Sequence, residues 1–361
     1  MAVTIRGKTL PLPILQGGMG VGVSLDRLAG AVAACGGMGT ISTALCGFRE
    51  PDFERDPQGA CLRALDSQIR RAKEMAQGAG LVAVNAMVAT AQYADSIRTT
   101  LRAGADAIVC GAGLPKDLPG IAAEVPESDA ALAPIVSSGR AAGLLCKLWD
   151  RHFGRVPDFV VLEGPLAGGH LGFSREEALD AQAGRPAPLV DLLRDVLEAL
   201  APFRDQYGRD IPVFVAGGVK DGAEMRRCTD AGAAGAQFAT RFIATEECDA
   251  SEGYKQRLIQ AKPGDVTIVQ SPVGMPGRAL RSPLIERVEY GVQPRPNRCI
   301  RCLTACNCKT APYCISRALI AAVEGDWENG LFFCGAGAGE IAAISTVQEQ
   351  MDQIMNEWRH A

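Results

Sequence analysis

Histidine and aromatic residues are scarce in this sequence, and no long apolar run is present. The 361 residues include 3 histidines and only 5% aromatics, with a formal net charge of −4. We expect no transmembrane helix, because no apolar run is long enough to span a bilayer. The first residues also lack the basic and apolar regions of a signal peptide. The small negative charge argues against nucleic acid as the main partner. Because neither a transmembrane run nor a signal peptide is apparent, we expect a cytoplasmic protein.

Short apolar runs alternate along the chain with longer segments of helical periodicity. Strands that are apolar almost throughout are typical of a parallel sheet covered on both faces. Eight such strand–helix units predict an α/β fold, a (β/α)₈ TIM barrel, and the open dinucleotide-binding sheet is the alternative. The first strand is not followed by the G-x-G-x-x-G spacing of that alternative. The eight strands are predicted over residues 14–19, 38–43, 81–88, 106–113, 133–139, 158–164, 211–218 and 235–240.

The segments outside these units predict an insertion and an extension. An insertion after strand 6 carries a helix over 189–200, where leucine and valine recur on one face. Residues 1–261 form the predicted barrel, and 262–361 form a Cys-rich C-terminal extension. The extension begins with a long Pro- and Gly-rich loop over 263–283 and ends with a helix over 340–358. Ser24 is the predicted N-cap of the first barrel helix.

Small or polar residues stand at the end of nearly every predicted strand. The active site of a TIM barrel lies at these carboxyl ends, and glycines there leave room for a flat ligand. Backbone N–H groups after strands seven and eight could bind an anion. The candidate ligand-binding residues are Gln16, Gly17, Gly18, Met19, Asn85, Ser137, Gly168, Gly169, Gly217, Gly218, Gln237 and Thr240.

His170 follows two of these glycines at the end of the sixth strand. A neutral imidazole beside a flat cofactor suits proton abstraction near neutral pH. A core histidine that is hydrogen-bonded to the backbone is the structural alternative. The preceding Gly-Gly and the position at the rim favour a functional role, and His170 is the candidate catalytic residue.

Five segments together resemble the nitronate monooxygenase (2-nitropropane dioxygenase) family of FMN-dependent TIM barrels, which includes the flavin-type enoyl-ACP reductases. The matching segments are PILQGGMGVGVS (13–24), VNAMV (84–88), EGPLAGGHLG (163–172), IPVFVAGGVKDG (211–222) and GAAGAQFATRFIATEE (232–247).

The resemblance implies a role for several of the candidate residues. Gln16, Gly18 and Met19 would line the flavin ring, and Asn85 would hydrogen-bond the cofactor. His170 matches the family's catalytic base. The FMN phosphate would be held by Gly217, Gly218, Gln237, Ala239 and Thr240. Two departures are visible. Ala239 stands where the family often has glycine, and Leu166-Ala167 stands where it often has Glu-Ala.

Two reactions on small molecules follow from the resemblance. In the first, nitronates or nitroalkanes are oxidised with O2, and His170 is the base. In the second, NAD(P)H or ferredoxin reduces the flavin, which passes hydride to an enoyl-type or other activated double bond. A barrel that binds a phosphorylated ligand without turnover is the alternative from another class. A homo-oligomer formed through the last helix is also left open.

Six of the 13 cysteines crowd into the C-terminal extension. Their spacing, C-x2-C-x3-C-x-C-x5-C, matches no standard ferredoxin run, yet clustered thiolates suit zinc or an iron–sulfur cluster such as [4Fe-4S]. The predicted ligands are Cys299, Cys302, Cys306 and Cys314, with Cys308 and Cys334 in reserve. Free reduced thiols are the alternative.

Overall fold

The computed structural model describes residues 2–296 and 298–361 and contains a closed barrel of eight parallel strands. The order around the barrel is β3-β4-β5-β6-β7-β8-β10-β11, and β11 closes it by pairing with β3. The predicted (β/α)₈ barrel is confirmed, and each predicted strand overlaps an observed one. The strands are β1 Val3–Ile5, β2 Lys8–Leu10, β3 Ile14–Gln16, β4 Met38–Ser42, β5 Leu81–Met87, β6 Ala107–Gly111, β7 Ala131–Val136, β8 Val160–Glu163, β9 Gly169–His170, β10 Val213–Ala216, β11 Gly235–Phe238, β12 Val266–Gln270 and β13 Pro276–Leu280.

Helices surround the barrel and continue into the C-terminal residues. The segment between β8 and β10 holds β9 and two helices, and the second of these contains the predicted helix over 189–200. The helices are α1 Asp26–Ala34, α2 Pro57–Ala76, α3 Tyr93–Arg102, α4 Leu118–Ala123, α5 Gly139–Phe153, α6 Arg175–Gln182, α7 Leu189–Tyr207, α8 Gly222–Asp230, α9 Thr240–Ile243, α10 Glu252–Gln260, α11 Pro283–Glu289, α12 Ile315–Glu324 and α13 Val347–His360. In the described part of the chain, none of these helices is long and apolar enough to cross a membrane.

Apolar side chains fill the amino-terminal half of the barrel interior. Leu15, Phe159 and Phe214 are fully buried there, and the two phenyl rings meet edge to face at 5.8 Å. The β1–β2 hairpin adds Ile5 and Leu10 to the same cluster and closes this end. The carboxyl ends of the strands are therefore the open end of the barrel.

The predicted loop over 263–283 is wrong, because most of this segment forms a β-hairpin. β12 pairs with β13 in antiparallel register, and β13 pairs in turn with β9, so that Gly277 lies opposite His170. Pro276 stands at the start of β13, where its missing N–H costs no interior ladder bond. The hairpin thus extends the segment that carries His170 into a three-stranded sheet above the barrel.

Two helix boundaries also differ from the prediction. The Ser24 hydroxyl accepts a hydrogen bond from the Met19 N–H rather than capping α1, and Asp249 Oδ2 accepts the N–H groups of Leu25 and Leu28 instead. The last helix begins at Val347 rather than at residue 340, because Thr346 and Glu349 form a capping box there.

Candidate active site

A cavity of about 1520 Å³ opens at the carboxyl ends of the barrel strands. Twelve of the candidate cofactor residues and His170 line it. The cofactor residues are Gly17, Gly18, Met19, Asn85, Ser137, Gly168, Gly169, Gly217, Gly218, Gln237, Ala239 and Thr240. The small residues at the predicted strand ends therefore lie together around one cavity, at one rim of the barrel.

Gln16 is the one candidate that does not reach the cavity. Its side chain is fully buried, where Oε1 accepts the Thr40 N–H at 2.8 Å and Nε2 donates to the Gly17 carbonyl. Both polar ends of the amide are thus used to join β3 to β4 and the turn after β3. The contact between Gln16 and a flavin ring stays a prediction.

Position 18 must be a glycine, because its backbone packs closely against the Asn85 side chain. A Cβ atom at Gly18 would lie 2.3 Å from Asn85 Cβ and 3.2 Å from Thr40 Cγ2. The Asn85 side chain is nearly buried, and its Nδ2 donates to the Val109 carbonyl at 3.2 Å. The position of Asn85 at the cavity wall therefore depends on the missing side chain at Gly18.

Gly18→Ala is expected to lower the flavin content of the purified protein. The added methyl group must displace Asn85, and overpacking of this kind costs about 1–3 kcal/mol. The ratio of flavin absorbance to protein absorbance measures the effect. Gly264→Ala is the control, since no atom lies within 4 Å of a Cβ there. A flavin content equal to that of the wild type in both variants would contradict the expectation.

Glycine backbone and two basic residues form the part of the cavity next to β10 and β11. Gly217 and Gly218 have φ values of 66° and 146°, which L side chains rarely adopt. Lys220 and Arg241 also line the cavity, where Lys220 pairs with Glu340 at 3.5 Å and Arg241 with Glu357 at 3.8 Å. The Thr240 hydroxyl accepts the Gly335 N–H at 2.9 Å, and its proton remains available to a further acceptor. This chemistry fits a phosphate group.

His170 projects from β9 into the cavity and contacts two residues of the C-terminal extension. Its Nε2 lies 2.8 Å from Ser271 Oγ, and its ring meets Phe333 edge to face at 5.1 Å. Among the described residues, Nδ1 has no hydrogen-bond partner. Burial lowers the pKa of His170 to about 4, so the ring is neutral near pH 7.

Arg278 fixes the loop that leads to His170. The guanidinium is fully buried, and Nη1 donates to the carbonyl oxygens of Pro165 at 2.9 Å and Ala167 at 2.5 Å. Its Nε also donates to Gln182 Oε1 at 3.3 Å. Burial lowers the pKa of Arg278 to about 10, which still leaves it charged near pH 7. Arg278 and Ser271 were both missed in the sequence, where neither belongs to a recognisable motif.

Glu163 was also missed as a site residue, although it opens the quoted EGPLAGGHLG segment. It is the last residue of β8, and its half-buried side chain lines the cavity. Its Oε2 accepts the Gly172 N–H at 3.2 Å. Desolvation raises the pKa of Glu163 to about 7, and Arg278 and the Gly172 hydrogen bond only partly offset this. A carboxylate directly after an apolar strand was the signal that could have identified it.

The clustered cysteines do not form a recognisable metal centre. Over residues 2–296 and 298–361, no group of three or more His, Cys, Asp or Glu side chains is placed to hold a metal ion. The Cys302 thiol lines the cavity and accepts the Ser316 hydroxyl proton at 2.8 Å. The prediction of zinc or an iron–sulfur cluster is therefore unsupported. The proposed ligands Cys299, Cys302, Cys306 and Cys314 stay a prediction, which metal analysis of the purified protein would test.

Comparison with known proteins identifies the family. The profile of the family described as nitronate monooxygenase matches residues 5–357. This chain therefore belongs to the nitronate monooxygenase family and is a flavin-dependent oxidoreductase. Members of this family use FMN. The glycine-lined cavity and the phosphate-compatible end next to Gly217 and Thr240 fit that cofactor.

The sequence identity between this chain and individual relatives is low. A (3aS,4S,5R,7aS)-5-hydroxy-7a-methyl-1-oxo-octahydro-1H-indene-4-carboxyl-CoA dehydrogenase from Mycobacterium tuberculosis is 28% identical over 78% of this chain and 67% of its own length. A probable nitronate monooxygenase from Staphylococcus saprophyticus is 32% identical over 37% of this chain and 35% of its own length. The chain thus spans two thirds of the first relative and about one third of the second. The structure of FabK from Thermotoga maritima has a TM-score of 0.69 and 24% identity, and the match covers 97% of this chain and 93% of that one. This last likeness concerns the fold.

Proposed function

We propose that this protein is an FMN-dependent monooxygenase that oxidises nitronates and nitroalkanes with O2. The observation that carries the proposal is the position of the His170 imidazole at the wall of the glycine-lined cavity, where it contacts Ser271 and Phe333. The bound FMN would supply the redox chemistry. Backbone and side chains next to Gly217, Gly218, Gln237, Ala239 and Thr240 would hold its phosphate, and residues such as Gly18, Met19 and Asn85 would border its ring.

His170 would act as the base toward neutral nitroalkanes. A nitroalkane must lose a proton from the carbon beside the nitro group before it becomes a nitronate. The low pKa of His170 keeps the ring unprotonated near pH 7, and Ser271 and Phe333 hold it toward the cavity. A preformed nitronate has already lost this proton and needs no base.

The test combines a spectrum with an oxygen measurement. The protein is purified without oxygen, and its visible absorbance is recorded. We expect two structured flavin bands, followed by nitronate-dependent consumption of O2. A colourless protein that cannot be reconstituted with FMN would contradict the cofactor, and flavoprotein that consumes no O2 with any nitronate would contradict the reaction.

A reductase is the second candidate function. One observation favours it, since the relative that aligns over 78% of this chain is named as a dehydrogenase of a carboxyl-CoA compound. In this reaction NAD(P)H, or ferredoxin as a one-electron partner, would reduce the flavin, which would reduce an enoyl-type double bond. Rapid bleaching of the flavin by NADH, NADPH or reduced ferredoxin in the absence of O2 would favour this function, and no bleaching by any of them would exclude it.

Both candidate functions act on small-molecule substrates. We expect the protein to act in the cytoplasm. The apolar side of α13 packs on α1 and α8 of the same chain. A direct measurement of the molar mass in solution would test whether the protein forms a homo-oligomer.

A further inference from the structure

We propose that a second pocket, at the amino-terminal end of the barrel, binds a phosphate dianion, either as the free ion or as the phosphate group of a small ester. This arginine pocket has a volume of about 730 Å³. Arg6, Arg155 and Arg209 line it together with Asp158. Binding there is independent of the proposed function, because none of these residues lines the candidate active site.

Three separate turns bring the arginines to one place. Arg6 lies in the turn of the β1–β2 hairpin, Arg155 follows α5, and Arg209 follows α7. The next barrel strands, β8 and β10, begin only after the turns that carry Arg155 and Arg209. The arginine pocket therefore lies at the amino-terminal ends of the strands, opposite the end where a TIM barrel has its active site.

Contacts with one carboxylate show that the three guanidinium groups lie close together. The side chain of Asp158 is 3% exposed, and its two oxygens are approached by all three arginines. Arg155 Nη2 lies 2.5 Å from the carboxylate, Arg209 Nη2 3.4 Å and Arg6 Nη1 3.7 Å. Because one carboxylate balances only one cation, two positive charges remain side by side in a partly buried pocket.

Neighbouring carboxylates do not supply the missing negative charge. Asp129 pairs with Lys8 at 2.9 Å, and Asp210, which lines the arginine pocket, pairs with Arg204 at 3.1 Å. In the described part of the chain, Asp158 is the one carboxylate within 4 Å of the three pocket arginines. An anion from solution would therefore be attracted to this place.

Several guanidinium N–H groups are available to such an anion. Arg155 donates to Asp158 through Nη2, and its buried Nε has no hydrogen-bond partner among the described residues. Arg6 uses Nε, and Arg209 uses Nη2, to donate to backbone carbonyl oxygens. Each guanidinium has five N–H donors, so most of them remain unused. An anion between the three side chains would provide the missing acceptors.

A phosphate dianion matches the arginine pocket in charge and in geometry. A phosphate ester carries close to two negative charges at pH 7 and offers three acceptor oxygens, whereas a carboxylate carries one charge on two oxygens. Guanidinium groups bind phosphate through paired hydrogen bonds. A pocket of this volume also accommodates a small organic group, for which Phe153 and Tyr207 line the wall.

Thermal unfolding in different anions tests the site. The protein is first saturated with FMN, so that the phosphate end of the main cavity is filled. Inorganic phosphate, glycerol 3-phosphate and acetate are then compared at equal pH and ionic strength. We expect the melting temperature to rise by about 3 °C when phosphate is present at about 100 times its Kd, and acetate to raise it less. The tighter binder of the first two shows whether the free ion or the ester is preferred.

Arg6→Gln and Arg209→Gln locate the response. Each variant removes one positive charge but leaves the pair between Arg155 and Asp158 in place, so we expect the barrel to fold. Each should weaken phosphate binding at least about tenfold, because charge-assisted hydrogen bonds are lost. The control is Arg194→Gln, which removes an exposed arginine of α7 that lines neither cavity and should respond like the wild type.

Two results would overturn the proposal. The first is a wild-type melting temperature that neither inorganic phosphate nor glycerol 3-phosphate raises above its value in acetate. The second is an equal response of the wild type and both pocket variants, which would show that the ion binds elsewhere. Titration calorimetry of the wild type needs no variant, and we expect one phosphate to bind per FMN-loaded chain. The absence of binding in that titration would equally refute the site.

Discussion

His170→Ala is expected to retain FMN but to lose about 10²- to 10⁴-fold in kcat on neutral nitroalkanes, the usual contribution of a positioned general base. The side chain reaches the cavity from β9, whereas the phosphate-compatible end lies next to β10 and β11. Removing the imidazole therefore leaves the predicted phosphate contacts in place. A preformed nitronate should be oxidised at nearly the wild-type rate, because its proton is already gone. Flavin content and O2 uptake with both substrates measure the effect.

His152→Ala is the matched control for this variant. His152 is exposed on α5 and lines no part of the cavity, so its loss should change neither substrate's rate. A His170→Ala variant that oxidises nitroalkane and nitronate as fast as the wild type would refute the role of His170 as base. Loss of flavin from the variant would show that the ring holds the cofactor instead.

Arg278→Met should cost about 3 kcal/mol of unfolding free energy or more. Methionine fills similar space but donates no hydrogen bond, so the carbonyl oxygens of Pro165 and Ala167 lose their Arg278 donor. Each buried polar group left unsatisfied costs about 1–3 kcal/mol. The gain from no longer burying a cation opposes this loss. The loss should prevail, because two carbonyls of one loop depend on the same guanidinium.

Urea denaturation of Arg278→Met and Arg281→Met provides the comparison. Arg281 follows the same strand but is exposed, and it pairs at 2.7 Å with Glu289, which is also exposed. Surface pairs of this kind contribute about 0–1 kcal/mol. Equal stability of the two variants would contradict the role of Arg278. We also expect Arg278→Met to lower turnover, because the loop it fixes leads directly to His170.

The barrel was predictable because its strands carry a local signal. Apolar runs between helical segments specify parallel strands wherever they occur, and the strand ends then meet at one rim. This rule alone was enough to predict that the glycines of the cavity and His170 lie at that rim. It does not tell where the Gln16 side chain points, since a short strand does not reveal whether its last side chain turns into the cavity or into the neighbouring strand.

The residues that were missed act over long distances in the chain. Ser271 lies 101 residues from His170, and Arg278 lies 113 residues from Pro165. No periodicity or spacing connects such partners. The cap of α1 shows the same limit, because the nearby Ser24 has the right chemistry but Asp249 supplies the bonds from 221 residues or more away. Local sequence patterns indicate individual strands and helices, whereas these contacts depend on how the strands and helices pack together.

The pairing of β13 with β9 sets an order of events during protein synthesis. All eight barrel strands have been made once residue 238 has left the ribosome, but Ser271, Arg278 and Phe333 have not. Domains generally fold as the chain emerges, so the barrel can close before His170 has these neighbours. The nascent chain would then pass through a stage in which all the barrel strands are present but the side chains that contact His170 have not yet been made.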